Sequence, residues 1–254
     1  MNWKIVLPVL ALSHAAVGAG GFFFARSLLV KDPAWVEQNR AVDAKLNAID
    51  AASGAPATGG VPPAGFVQGK RTFQIQSHGM SRVSFTSDAP LEQIVGTTTS
   101  VSGDLTLDAA AVEKSTATGV RVAVGTLKTG IDKRDEHLQG EGWFHTEKYP
   151  DAEFALESVG AVAGGLWPGR TVETPITGSL TIKGQAKAVK AVATVSWVPH
   201  SPDLAKFGIK GDILRVKTRF DVTLADFGMS AEVIGQKVAE VVSVDLNLTL
   251  VAAE

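Results

Sequence analysis

From residue 66 to the end of the chain, apolar and polar residues alternate with a period of two. The pattern is plainest where Val242, Val244, Leu246, Leu248 and Leu250 are separated by Ser243, Asp245, Asn247 and Thr249. Such a period gives each strand one dry face and one wet face. The same alternation runs through 101–107, 120–124, 176–182, 189–197 and 214–224, and shorter strands fit 73–77, 83–86 and 154–158. Short polar or glycine-containing turns such as Lys183-Gly184-Gln185 join most neighbours, so successive strands pair antiparallel. No repeated helix of crossover length separates them, which argues against a parallel α/β sheet. About eight such strands suit either a sandwich or a closed barrel. The inward set mixes very small residues (Gly103, Gly178, Ala191, Ala193) with large ones (Trp197, Phe220, Leu246). Small inward positions leave room for a guest, whereas in a filled core they would sit opposite larger partners. The expected fold is therefore all-β, an antiparallel barrel of about eight strands with one short helix.

A different pattern precedes the barrel. Lys4 leads into an almost uninterrupted apolar run over 5–24 that ends at Arg26. Roughly twenty residues span a bilayer as a helix. A cleaved signal peptide is the competing reading, with small residues Val17 and Ala19 ahead of a cut after Ala19. The run exceeds the ~7–15 residues of a signal-peptide core, which favours an uncleaved anchor over 1–31. Lys4 on one flank, with Arg26 and Lys31 on the other, barely biases orientation. Asp32 as cap and Pro33 in the first turn then open a helix over 32–52, with Trp35, Val42, Leu46 and Ile49 on one stripe. Two copies of the stripe would make a homodimer, but it is shorter than three heptads; a helix resting on the membrane or on its own domain fits better. Residues 53–65 are rich in Gly and Pro and carry no charge, which marks a linker to a domain over 66–254.

One connection interrupts the strands with chemistry of its own. The run Arg134-Asp135-Glu136-His137-Leu138 is followed by Trp143-Phe144 and by Tyr149-Pro150-Asp151-Ala152-Glu153-Phe154. A short polar helix and an aromatic turn bunched at one place suggest a connection that shapes a pocket mouth or plugs a barrel end. Arg134 and Asp135 are expected to form a buried ion pair or cap that, with His137 hydrogen-bonded nearby and Leu138, pins the helix to the barrel.

Charge and motif content remove several function classes. Lys plus Arg (24) nearly balances Asp plus Glu (26), and no basic stripe is interleaved with aromatics, so nucleic acid is not an expected partner. The absence of cysteine removes disulfides, thiolate metal sites, cysteine nucleophiles and a lipidated cysteine. His78, His137, His145 and His200 lack the spacing of a zinc site, so no metal is expected. There is no Gly-x-Ser-x-Gly elbow and no glycine-rich phosphate loop. Asp135 and His137 would serve as a general acid/base pair on an isoprenoid, but nothing in their spacing demands it. The chain is thus expected to be no enzyme and to carry no cofactor.

The segment from Thr129 through 134–138, Trp143-Phe144 and Tyr149-Pro150 to Phe154 resembles the signature of the YceI-like family of bacterial lipid-binding proteins. Three further segments agree in order: 77–85 with the family's first strand pair, 178–184 with its central strand and turn, and Asp226-Phe227-Gly228-Met229 with 238–250 with its closing turn and last strand. The resemblance covers residues 70 to 251. It implies a lipocalin-like barrel whose apolar cavity holds a polyisoprenoid, often a quinone or its precursor. It also implies a secreted or periplasmic protein; taken with the apolar run over 5–24, the expected location is the bacterial cell envelope, inner-membrane anchored with a periplasmic domain, or secreted to the periplasm if the N-terminus is cleaved. The chain departs from the pattern in a stretch over 199–212 that lengthens a hairpin, in its N-terminal anchor and linker, and in the order Ser77-His78. On this reading Phe85, Val122, Phe144, Phe154, Leu180, Ala193, Trp197, Phe220, Leu224, Leu246 and Leu248 line the lipid cavity. The alternative is a filled-core barrel tethered to the membrane as a protein-interaction module, with the loops around Trp143, Trp167 and Phe207 binding a partner.

Overall fold

The computed structural model describes residues 31–52, 61–77, 79–229 and 233–253; the apolar run over 5–24, and with it the expected N-terminal membrane or signal helix, lies outside them. Among the described residues the strands are β1 (Lys70–Ile75), β2 (Arg82–Asp88), β3 (Gln93–Thr98), β4 (Val101–Asp108), β5 (Thr116–Ala123), β6 (Asp151–Val159), β7 (Thr171–Ile182), β8 (Gln185–Val198), β9 (Ile213–Thr223) and β10 (Val241–Ala252). Three α-helices accompany them: α1 (Pro33–Ala52), α2 (Asp132–Gln139) and α3 (Pro202–Ala205). Every strand pairing is antiparallel, in the order β1-β4-β5-β6-β7-β8-β9-β10, and β1 pairs back with β10 to close an eight-strand ring. Closure removes the exposed edges that an open sheet of this length would present.

The ring is stepped along one seam. The first half of β10 pairs with β2 (Ser243 opposite Thr86, Asn247 opposite Arg82), and its end pairs with β1 (Leu250 opposite Ile75). β1 and β2 thus act as one strand broken at 76–81, and β3 folds back on β2. β3 is absent from the alternation read in the sequence, because Ile94, Gly96 and Thr98 hold too little apolar contrast with their neighbours. Gly96 is needed there: a Cβ would lie 2.2 Å from the ring of Phe85, which crosses it from the paired strand. The gap beyond β3 is bridged by Thr97 pairing with Lys128, so the 124–149 connection completes the wall.

The interior divides into two halves. At one end Phe73, Val101, Leu107, Leu166, Val195 and Trp197 belong to a packed cluster. Trp197, only 1% exposed, receives the edges of Phe66 and Phe73 at ring-centre distances of 5.5 and 5.6 Å, and its Nε1 donates to Asp212 at 3.0 Å. Such edge-to-face packing with a satisfied indole N–H fills the barrel and fixes that end. The other half belongs to a second cluster with Leu180, Ile182, Val222, Leu224, Phe227 and Val242, over which α2 and the 224–240 connection fold.

The small inward residues do not make the space. A Cβ on Gly178 would meet the Phe154 ring at 2.4 Å, so the space beside that glycine is already filled from the neighbouring strand, diagonally across the pairing. Gly103 sits at a bulge with φ +138°, its Cα pressed on the β5 backbone where a Cβ would come 2.8 Å from Val120 Cα. Ala193 is buried in the packed half.

α1 lies against the outside of the barrel, on the chain's own domain. Asp32 caps it, its Oδ1 accepting from Ala34 N at 2.9 Å, and its own N–H donates to Gly130 O at 2.6 Å. Along the helix Asn39 accepts from Thr97 at 2.8 Å, Asp43 pairs with Arg82, and Asp50 takes Arg215 at 3.0 Å and Lys217 at 2.7 Å. Leu46 and Ile49 are buried, Ile49 among Val198, Leu204, Ile209 and Ile213. The 199–212 stretch therefore supplies, through α3, an apolar seat for the helix end. Arg215 is buried beneath it; burial pulls its guanidinium below its ordinary value, opposed by the charge and hydrogen bond of Asp50. Thr249 Oγ1 and Asn247 Oδ1 accept its remaining donors.

Candidate functional site

The half-barrel over which α2 folds encloses a cavity of about 560 Å³. Its walls come from inward positions of nearly every strand: Val83 and Phe85 on β2, Ile94 on β3, Val120 and Val122 on β5, Ala152 and Phe154 on β6. Ile176, Leu180 and Ile182 on β7, Val189 on β8, Thr218, Phe220 and Val222 on β9, and Val242, Val244 and Leu246 on β10 complete them. The period of two dictates this set, because residues i and i+2 share a face. Many of these inward side chains, Val122, Phe154, Phe220, Val244 and Leu246 among them, are only half-buried, because they face open space instead of other atoms. From Val242 to Leu246 the hollow follows the strand for roughly 14 Å at ~3.4 Å per residue, and beyond it Leu248 and Leu250 join the packed half.

α2 and the aromatic turn close this end. Leu127, Ile131, Leu138, Trp143 and Phe144 turn inward and extend the apolar wall beyond the strands. Asp135 fixes the helix: almost fully buried, its Oδ1 accepts from Thr129 N at 2.8 Å and Thr129 Oγ1 at 2.7 Å, with Lys128 Nζ 3.8 Å from Oδ2. A buried carboxylate is tolerable only with such donors. The expected Arg134–Asp135 pair does not form; Arg134 reaches Glu92 at 2.5 Å and ties the helix to the β2–β3 turn. His137 stands exposed on the cavity lining, while the Asp135 carboxylate is held by Thr129, so the two are not arranged as an acid/base pair. Lys133, His137, Val233 and Lys237 line the cavity and are exposed, which places its mouth between α2 and the 233–238 segment.

Of the residues assigned to the cavity from the sequence, Phe85, Val122, Phe144, Phe154, Leu180, Phe220, Leu224 and Leu246 lie on it. Ala193, Trp197 and Leu248 do not: they share the inward face but sit deeper along their strands, in the packed cluster. Alternation tells the face of a residue and not its depth. For the same reason the alternation does not single out Val189, Val222, Val242 and Val244, which also line the cavity. Leu127 and Ile131 carried no periodic signal, because they lie on an irregular connection. The interior is neither hollow throughout nor filled throughout. Of the aromatics at the centre of the interaction-module reading, Trp143 lines the cavity, Trp167 is buried under Arg170, and Phe207 packs on the cluster beneath α1.

Comparison with known proteins gives a consistent picture. The family described as the YceI-like domain matches residues 73–250. A UPF0312 protein of Shewanella sp. (strain W3-18-1) is 38% identical over 104 residues, 39% of this chain and 49% of that protein. One from Photorhabdus laumondii is 33% identical over 70 residues, 28% of this chain and 32% of its own. The chain thus spans about half the length, or less, of the curated relatives it matches. Among solved structures, Burkholderia cenocepacia BcnA superimposes with a TM-score of 0.53 at 20% identity, covering 68% of this chain and 99% of that one. A polyisoprenoid binding domain from Saccharophagus degradans does so with a TM-score of 0.53 at 16% identity, covering 71% and 98%. At these identities the likeness is one of fold.

Proposed function

We propose, from the premise that this chain belongs to the YceI-like domain family, that it holds an apolar lipid in the α2-end cavity and carries it without chemical change. The observation that carries the reading is the hollow itself: an open-mouthed space of about 560 Å³ with mainly apolar walls, while the other half of the same barrel is filled by a cluster of buried side chains. Pockets for small ligands run to about 300–1,000 Å³. A hydrocarbon entering it leaves water at ~0.8 kcal/mol per methylene, so roughly ten buried methylenes contribute ~8 kcal/mol before ordering costs.

The polyisoprenoid class is suggested by the Saccharophagus degradans domain, which shares the fold. A chain longer than the hollow leaves its remainder at the mouth, where Lys133, His137 and Lys237 offer donors to a polar end such as a quinone ring. The bacterial cell envelope, with the barrel on the periplasmic side, suits such a cargo. Organic extraction of the purified full-length chain followed by mass spectrometry tests the reading. A prenyl-chain lipid in the extract, or saturable uptake of an added fluorescent isoprenoid alcohol, is the expected result. Neither appearing would overturn it.

A further inference from the structure

We infer that α1 is a rigid bracket that holds the cavity mouth against the bilayer in which the apolar run over 5–24 would sit, so that the lip of the barrel is a lipid-facing surface. The first observation is where the chain enters the fold. Asp32 N donates to Gly130 O, and Trp35 packs so closely on Gly130 that a Cβ there would lie 2.7 Å from its ring. Gly130 lies two residues before the start of α2, whose far side lines the mouth. Seven residues, 25–31, separate Phe24 from Asp32. Fully extended at ~3.3–3.6 Å each they span at most about 25 Å. An anchored chain therefore keeps the α2 end near the membrane surface.

The second observation is that the bracket is fixed along its length. Asn39, Asp43 and Asp50 are bonded to β3, β2 and β9 in turn, and Ile49 is seated in an apolar cluster at the far end. The barrel is thereby held along the helix instead of hanging from a single point. The third is the lip itself. Leu91, 69% exposed, and Val233, 38% exposed, are on backbone segments bonded to each other, Leu91 N donating to Gln236 O and Gln236 N to Val233 O. Apolar side chains left in water beside a hydrophobic mouth, with Lys133 and Lys237 next to them, match the interfacial layer of a bilayer, which takes apolar groups below and cations at headgroup level.

The purpose of this arrangement, direct passage of lipid between bilayer and cavity, rests on the lipid-holding reading; the orientation does not. The chain has no cysteine, so Leu91→Cys, Val233→Cys and, at the opposite end, Lys210→Cys each give one labelling position. The full-length chain is labelled with an environment-sensitive fluorophore and reconstituted into phosphatidylethanolamine/phosphatidylglycerol vesicles containing nitroxide-bearing lipid. Quenching several-fold stronger at 91 and 233 than at 210 is expected. Equal quenching, stronger quenching at 210, or no association with vesicles would overturn the inference, whether or not lipid is found in the cavity. In a second measurement, Leu91→Asp, which leaves the cavity lining untouched, should slow transfer of a fluorescent isoprenoid to vesicles several-fold with uptake in detergent unchanged; an unchanged transfer rate would likewise overturn it.

Discussion

Replacing a small inward residue by phenylalanine should have opposite consequences in the two halves of the barrel. Ala193 is 2% exposed within the packed cluster, flanked on the neighbouring strands by Thr174 and Thr218. Thr174 donates to Gly160 O at 2.9 Å and Thr218 to Val192 O at 3.0 Å, so a ring at 193 must displace side chains that are already bonded. Overpacking of this kind costs ~1–3 kcal/mol. At roughly 2–4 °C per kcal/mol for a domain of this size, Ala193→Phe should melt several degrees below the parent. Ala152 stands opposite Val122 on the cavity wall, where a ring projects into open space. Burying it gains up to ~1.5–3 kcal/mol, set against side-chain ordering and some strain, so Ala152→Phe should stay within about 1 kcal/mol of the parent. The assays are urea denaturation and co-purified or added isoprenoid measured on both variants. Ala152→Phe should lose lipid at little cost in stability, and Ala193→Phe should lose stability while retaining it. The opposite assignment, or equal destabilisation with lipid unaffected in both, would refute the division of the interior into a packed and a hollow half.

Asp135→Ala should strand the buried N–H and hydroxyl of Thr129 and cost ~1–3 kcal/mol for each donor left unpaired, read as a lower urea midpoint, with Asp135→Asn recovering part of the loss. Asp50→Ala leaves the buried Arg215 without its carboxylate. Losing a buried partner costs ~3–5 kcal/mol, but Asp50 is itself about a third exposed and Arg215 keeps Thr249 and Asn247 as acceptors, so about 1–3 kcal/mol is expected. Asp43→Ala, which removes an exposed partner of Arg82, should cost no more than about 1 kcal/mol in the same denaturation series.

The period-two alternation was enough to mark almost every strand and its inward face, and the short turns to set the antiparallel pairing of successive strands, since each of these depends only on residues near in sequence. The polar run at 134–138 was enough to mark the connection that closes the site. Three things depended on contacts between residues distant in sequence. Depth along the barrel separates Leu246, on the cavity, from Leu248, two residues on and in the packed half, and no local pattern distinguishes them. Partner choice sent Arg134 to Glu92 and not to Asp135, because the β2–β3 turn arrives beside α2 only when the ring has closed. The place of α1 was settled by a surface assembled from β2, β3, β9, β10 and the 199–212 stretch, whose residues lie up to about 200 positions away from it. A helix stripe says that an apolar face must be covered; only the folded barrel says by what.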